Sequence, residues 1–108
     1  MTYSESPLKP KQVKKIYTIS GVNLSFTNSE ERYVGRDDLL LISFKNKSNF
    51  AGVFTKSTAA SEAVKLCKKI IKNNDIRAII VNAGNANVFT GELGKSAINK
   101  IISKLSSC

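Results

Sequence analysis

Residues 76–92 constrain the fold more than any other stretch of this chain. The apolar run Ile76-Arg77-Ala78-Ile79-Ile80-Val81 leads into Asn82-Ala83-Gly84-Asn85-Ala86-Asn87, and Val88-Phe89-Thr90-Gly91-Glu92 follows. The run is short, β-branched and followed by turn-forming residues, which reads as a buried strand. Behind it three asparagines are interleaved with Ala and Gly. Small residues let the backbone turn tightly, Asn and Gly tolerate left-handed conformations, and each amide brings donors and acceptors. Thr90 then stands where a helix N-cap is expected, and Glu92 places an acid in the first turn. Leu93, Ala97, Ile98, Ile101, Ile102 and Leu105 recur at helical spacing and form one apolar face. Strand, shaped loop and helix are thus the unit around which the rest must be arranged.

Upstream the period is that of strands. Residues 16–26 are rich in β-branched and aromatic side chains and alternate best at Val22, Leu24 and Phe26, which predicts an early strand or a bent pair before a polar turn at 28–31. Leu39-Leu40-Leu41-Ile42-Ser43-Phe44, the polar residues 45–49 and the run 50–55 predict an antiparallel hairpin. Ala51 and Gly52 in its second arm imply close backbone approach or a bulge. Between 59 and 73 the period changes: Ala60, Val64, Cys67 and Ile71, widened by Ala63, Leu66 and Ile70, lie on one side of a helix. Lysines in its last turn complement the helix dipole, and Asn73-Asn74-Asp75 ends it. About four strands and two helices predict an α/β layered arrangement, with a modest core and a last helix left without a covering partner. Residues 1–15, with Pro7, Pro10, Lys9, Lys11, Lys14 and Lys15, read as an irregular basic leader, and residues 16–108 as an incomplete domain.

Charge and reactive residues exclude several function classes. The net charge is +9, from 17 Lys plus Arg against 8 Asp plus Glu, which raises the question of a polyanion partner. Arginine, the usual base reader, occurs only at Arg32, Arg36 and Arg77, and no helix-turn-helix, zinc-finger or aromatic RNA-binding pattern accompanies the lysines. A solvated Lys-rich surface accounts for the charge. Cys67 and Cys108 lack CxxC spacing, and the chain has no histidine, so neither a zinc site nor a His-activated nucleophile is expected. Cys67 reads as a core filler and Cys108 as a free thiol. Asp37-Asp38 could be paired carboxylates, but adjacent strand residues point to opposite faces, which favours a solvated turn. Gly84, Gly91 and Gly94 match neither a dinucleotide fingerprint nor a P-loop. No apolar segment is long enough to span a bilayer and residues 1–6 show no apolar h-region after a basic start, so a cytoplasmic protein is expected.

The loop itself supports two readings: Asn82, Asn85 and Asn87 satisfy buried backbone groups and fix the turn, or an amide faces a ligand in a pocket completed by further sequence.

Four segments in order resemble the bifunctional glutamate N-acetyltransferase family, also called ornithine acetyltransferases. They are Gly35-Arg36-Asp37-Asp38-Leu39-Leu40-Leu41-Ile42, then Ala51-Gly52-Val53-Phe54-Thr55. Ala78-Ile79-Ile80-Val81-Asn82-Ala83-Gly84-Asn85-Ala86-Asn87 is the third, and Thr90-Gly91-Glu92-Leu93-Gly94 the fourth. The resemblance runs from about Gly21 to Leu105. Ser61-Glu62-Ala63-Val64 departs from the family's Ala-Ala-Pro-Val and leaves the start of the first helix open.

What this resemblance implies is the N-terminal part of a layered α/β/β/α, DmpA-like fold. It also implies acetyl transfer from N-acetylornithine to glutamate through an acetyl-threonine, with acetyl-CoA as donor in some members. In the family a self-cleaved precursor exposes the threonine as the N-terminus of a β chain, and a Thr-Gly pair forms the oxyanion hole. Neither motif is present here: Thr2, Thr18, Thr27, Thr55, Thr58 and Thr90 lack the Met-Ala-Thr-Met context, and Thr90-Gly91 belongs to the Thr-Gly-Glu-x-Gly signature. No catalytic, cofactor-binding or metal-binding residue is therefore assigned, and the 108 residues alone are expected to be inactive. The implied partners are a β chain in a hetero-oligomer, with N-acetylornithine and glutamate as substrates and neither nucleic acid nor membrane. The alternative is a small basic module that binds an acidic partner or RNA.

Overall fold

Alternation of apolar and polar residues builds the centre of the molecule. In the computed structural model, which describes residues 5–30 and 34–107, strand β1 spans Val22–Thr27, β2 spans Leu39–Ser48 and β3 spans Ile76–Asn82. They form an antiparallel sheet in the order β1-β2-β3. Val22 pairs with Phe44, Leu24 with Ile42 and Phe26 with Leu40, while Ile42 also pairs with Ile79 and Leu40 with Val81. Directly paired residues project to the same side of a sheet. One face therefore carries Val22, Leu24, Phe26, Leu40, Ile42, Phe44, Ile79 and Val81, an almost wholly apolar surface. The opposite face mixes Leu39, Leu41 and Ile80 with Asn23, Ser25, Thr27 and Ser43.

Helix α1 spans Glu62–Ile70, continues as a 3-10 turn over Ile71–Asn73 and stops at Asn74, whose φ of 50° is left-handed. The start lies later than residue 59 because Ser61 acts as the cap: its Oγ accepts the Val64 N–H at 3.3 Å. Glu62 sits in the first turn and pairs with Lys65 at 2.5 Å. Helix α2 spans Gly91–Ser106.

Two expectations about strands change. The described residues hold three strands rather than about four. β2 runs on through Lys45, Asn46, Lys47 and Ser48, with an irregularity between Ser43 and Ser48, and in place of the expected hairpin it pairs with β3, which follows α1 in the chain, out to Ser48 with Ile76. Residues 50–55 are irregular. A Cβ built on Gly52 would stand 3.6 Å from the Phe54 ring and 3.7 Å from Ile71, ordinary contact distances, so close approach does not demand glycine there. The early strand is confined to Val22–Thr27, and residues 5–21 hold neither helix nor strand.

The modest core is a further correction. Among the described residues no hydrophobic side chain is buried, and Cys67 is only half-buried. Phe26 is 69% exposed, Leu24 49% and Val81 47%, all on the apolar sheet face. The accessible surface is 9688 Å², against about 5,900 Å² for a compact monomer of this mass. An apolar sheet face needs a second layer to cover it, and this one is covered only in part: Leu40, Ile42, Phe44 and Ile79 are half-buried, while Leu24, Phe26 and Val81 are exposed.

Candidate functional site

The polar end of the sheet carries several side-chain hydrogen bonds, and Asp38 is its hub. Asp38 is 6% exposed, the only buried polar or charged side chain among the described residues. One carboxylate oxygen accepts the Ser29 N–H at 2.7 Å and the other the Ser29 hydroxyl at 2.6 Å. Its backbone N–H donates to the Thr27 carbonyl at 3.2 Å, and its backbone carbonyl accepts the Ala83 N–H at 2.8 Å. One residue thus joins the exit of β1, the head of β2 and the start of the Asn-rich loop. The Ser29 hydroxyl, then the Ser29 N–H, hold the Asp38 carboxyl below the usual range; burial opposes them, and Arg36 adds a smaller attraction.

This overturns the solvated-turn reading for Asp38, while Asp37 is exposed as expected. The alternation carried part of the signal: Asp38 shares parity with Leu40, Ile42 and Phe44 and so falls on their side of the chain rather than on Asp37's.

The loop is fixed by its own amides. The Asn82 side chain donates to the Asn85 carbonyl at 3.4 Å, and the Asn85 side-chain oxygen accepts the Asn87 N–H at 3.1 Å. Asn87 is the second hub. Its side-chain oxygen accepts the Thr90 hydroxyl at 2.5 Å, and its carbonyl accepts the N–H of Glu62 at the start of α1 at 3.3 Å. Asn87 and Phe89 have φ of 48° and 56°, and Gly84 and Gly91 φ of 93° and 54°. Left-handed backbone is ordinary for Asn and Gly but costly for a bulky aromatic, and Phe89 is 91% exposed.

Thr90 occupies the cap position of α2 without capping it. Its φ and ψ of −94° and −8° are helical, and its side chain makes no cap bond, turning back to Asn87 instead. Gly94 explains the packing there. It is buried, and a Cβ built on it would lie 2.7 Å from Thr90 Cβ and closer still to Thr90 Oγ1 and Asn87 Oδ1. The Thr-Gly-Glu-x-Gly spacing has a local cause: Thr90 and Gly94 are neighbours on one helical turn, and only glycine leaves room for the Asn87–Thr90 bond.

Asn82, Gly84, Asn85, Ala86, Asn87, Val88 and Thr90 line an open depression of about 640 Å³. Asn82 and Asn85 are exposed and Asn87 half-buried, so the amides order the loop rather than satisfy a deeply buried backbone. No group of three or more His, Cys, Asp or Glu among the described residues could hold a metal ion. No helix among them is long and apolar enough to cross a membrane. Several lysines are engaged locally: Lys47 with Asp75 at 2.7 Å, Lys95 with Glu92 at 3.6 Å, and Lys68 with the Thr55 carbonyl at 2.8 Å. Thr2, Arg32 and Cys108 lie outside the described residues.

Comparison with known proteins gives a single answer. The model of the ArgJ family matches residues 23–108. The arginine biosynthesis bifunctional protein ArgJ of Bradyrhizobium diazoefficiens is 41% identical over 111 residues, which take in 100% of this chain and 27% of that protein. The protein of the same name from Brucella suis is 40% identical over 97 residues, 90% of this chain and 24% of that protein. The crystal structure of the ArgJ protein of Bacillus halodurans superposes with a TM-score of 0.66 at 26% identity, covering 71% of this chain and 40% of that one. The chain spans about a quarter of the length of the curated relatives it matches.

Proposed function

This chain belongs to the ArgJ family, as an N-terminal part of it, and from that premise we propose that it is the α-chain portion of an acetyltransferase moving the acetyl group of N-acetylornithine to glutamate. In this reading residues 1–15 are a basic leader, residues 16–108 open the catalytic domain, and the enzyme acts in the cytoplasm. The match of the family model across residues 23–108, which include the Asn-rich loop and the Gly94 turn, carries the proposal.

The chemistry belongs to a complementary β chain. Its N-terminal threonine hydroxyl would attack the acetyl carbonyl and release the ornithine amine, leaving an acetyl ester. The glutamate amine then attacks that ester and regenerates the hydroxyl. Acetyl-CoA is a second candidate donor. The threonine's own amine would serve as base, so a chain without histidine is compatible with the route. A two-chain organisation is supported by length: 71% of this chain fills 40% of the solved Bacillus chain, whereas the whole of it fills only 27% of the Bradyrhizobium protein, so the solved chain is much the shorter of the two.

The 108 residues contain no cleavage motif and no assigned nucleophile, so alone they are inactive in this proposal. The test is an acetyl-exchange assay with N-acetylornithine and glutamate, and a parallel arm with acetyl-CoA. It is run on the chain alone and on the chain co-expressed with the remainder of the Bradyrhizobium protein. Exchange only in the co-expressed sample is expected; exchange by the chain alone overturns the proposal.

A further inference from the structure

We propose that Asp38 is a positioning residue that sets the loop at residues 82–90 from the head of β2, so that Ser29 and the loop are placed together. The inference concerns this chain's own geometry and stands whether or not the acetyl-transfer reading does.

Three observations converge on it. First, Asp38 combines burial with complete use of its carboxylate: both oxygens are engaged by Ser29, one by the N–H and one by the hydroxyl. A carboxylate removed from water in this way is held in one position, since any displacement leaves it desolvated without its donors. Second, the backbone of the same residue bridges both neighbouring segments, through Thr27 on one side and Ala83 on the other. The β2–β3 pairing ends at Leu39 with Asn82, so the Ala83-to-Asp38 bond is the first contact beyond the ladder and fixes the direction in which the chain leaves β3.

Third, the far end of the loop is anchored independently. Asn87 holds Thr90 and receives the Glu62 N–H, and Gly94 admits that arrangement. Between these anchors, Gly84, Asn85 and Ala86 are exposed. The conformation of this short span therefore depends on where both anchors stand, and Asp38 governs the anchor at Ala83. Ser29 lies 54 positions earlier in the sequence than Ala83, yet one residue separates them in space.

The experiment is amide hydrogen exchange on the chain co-expressed with the remainder of the Bradyrhizobium protein, and on three variants, comparing Ala83 with the amides of the β2–β3 ladder. Ser29→Ala removes the hydroxyl bond and keeps the N–H bond. It is expected to reduce protection at Ala83 about tenfold relative to the ladder, and Ser29→Thr to restore it. Asp38→Asn is expected to exceed Ser29→Ala at Ala83. Two results overturn the proposal: unchanged protection at Ala83 in Ser29→Ala, or a uniform loss across the ladder in that variant, which would assign Ser29 a general structural role. A parent chain whose Ala83 exchanges as an unprotected amide also overturns it. If Asp38→Asn fails to fold, the two Ser29 variants decide the question by themselves.

Discussion

The two ends of this chain's architecture are built on opposite principles. At the loop end, polar side chains and small residues close a dense set of bonds and contacts: Ser29 on Asp38, Ala83 on Asp38, Thr90 on Asn87 and Asn87 against Gly94. Across the sheet face, the largest apolar side chains of β1 stand open, with Phe26 more than two-thirds exposed. Directional bonds specify a loop once the strands that carry them are paired, and they need no further layer to do so. Hydrophobic burial is non-directional, and this three-stranded sheet completes it nowhere: its apolar side chains are half-buried or exposed. The comparison separates what this chain determines by itself from what it offers to the rest of a larger enzyme.

The largest effect expected at the loop end comes from Gly94→Ala. The added methyl would overlap Thr90 and Asn87, and relieving it must move the loop or the first turn of α2. Overpacking of this kind costs about 1–3 kcal/mol, measurable as a lower urea midpoint of the chain co-expressed with the remainder of the Bradyrhizobium protein. Thr90→Val, which keeps the shape and removes the hydroxyl bonded to Asn87, should cost about 1 kcal/mol in the same measurement. A larger loss for Thr90→Val than for Gly94→Ala would mean that the hydrogen bond rather than the packing governs this corner.

A subtler effect follows from the Asp38 carboxyl, whose folded-state pKa is lowered by the bonds from Ser29. A lowered carboxylate pKa contributes stability that is fully present above its unfolded value, about 3.9 for an aspartate, and that is lost as pH falls through the lower folded value. Urea midpoints followed downward from pH 5 should therefore decline less steeply in Asp38→Asn than in the parent. Parallel slopes would remove Asp38 from the account of the acid limb.

How much of this was legible in the sequence differs between the two regions for physical reasons. Short-range periodicity located β3, both helices and the apolar face of the early strand, because side-chain alternation and helical spacing are local properties. The loop motif identified the family from residues alone. What escaped was pairing between distant residues. Ser29 and Asp38 meet only because β1 and β2 cross in a particular register, so the aspartate next to Asp37 looked solvated. The run 50–55 resembles a strand by composition, but β2 spends its pairing on β3, which lies beyond α1 in sequence. Thr90 has the right identity and position for an N-cap, and its hydroxyl is diverted by a partner three residues earlier.

The most direct test of the central claim, that this sheet is one part of a larger enzyme, is whether the open apolar face is covered when the remainder is supplied. Size-exclusion chromatography of the chain with the remainder of the Bradyrhizobium protein, read together with binding of an apolar-surface dye, makes the measurement. The chain alone should bind dye strongly, the two should co-elute with the dye signal lost, and Phe26→Asp should prevent co-elution. A chain that elutes by itself as a compact monomer, binds little dye and ignores the remainder would contradict that claim.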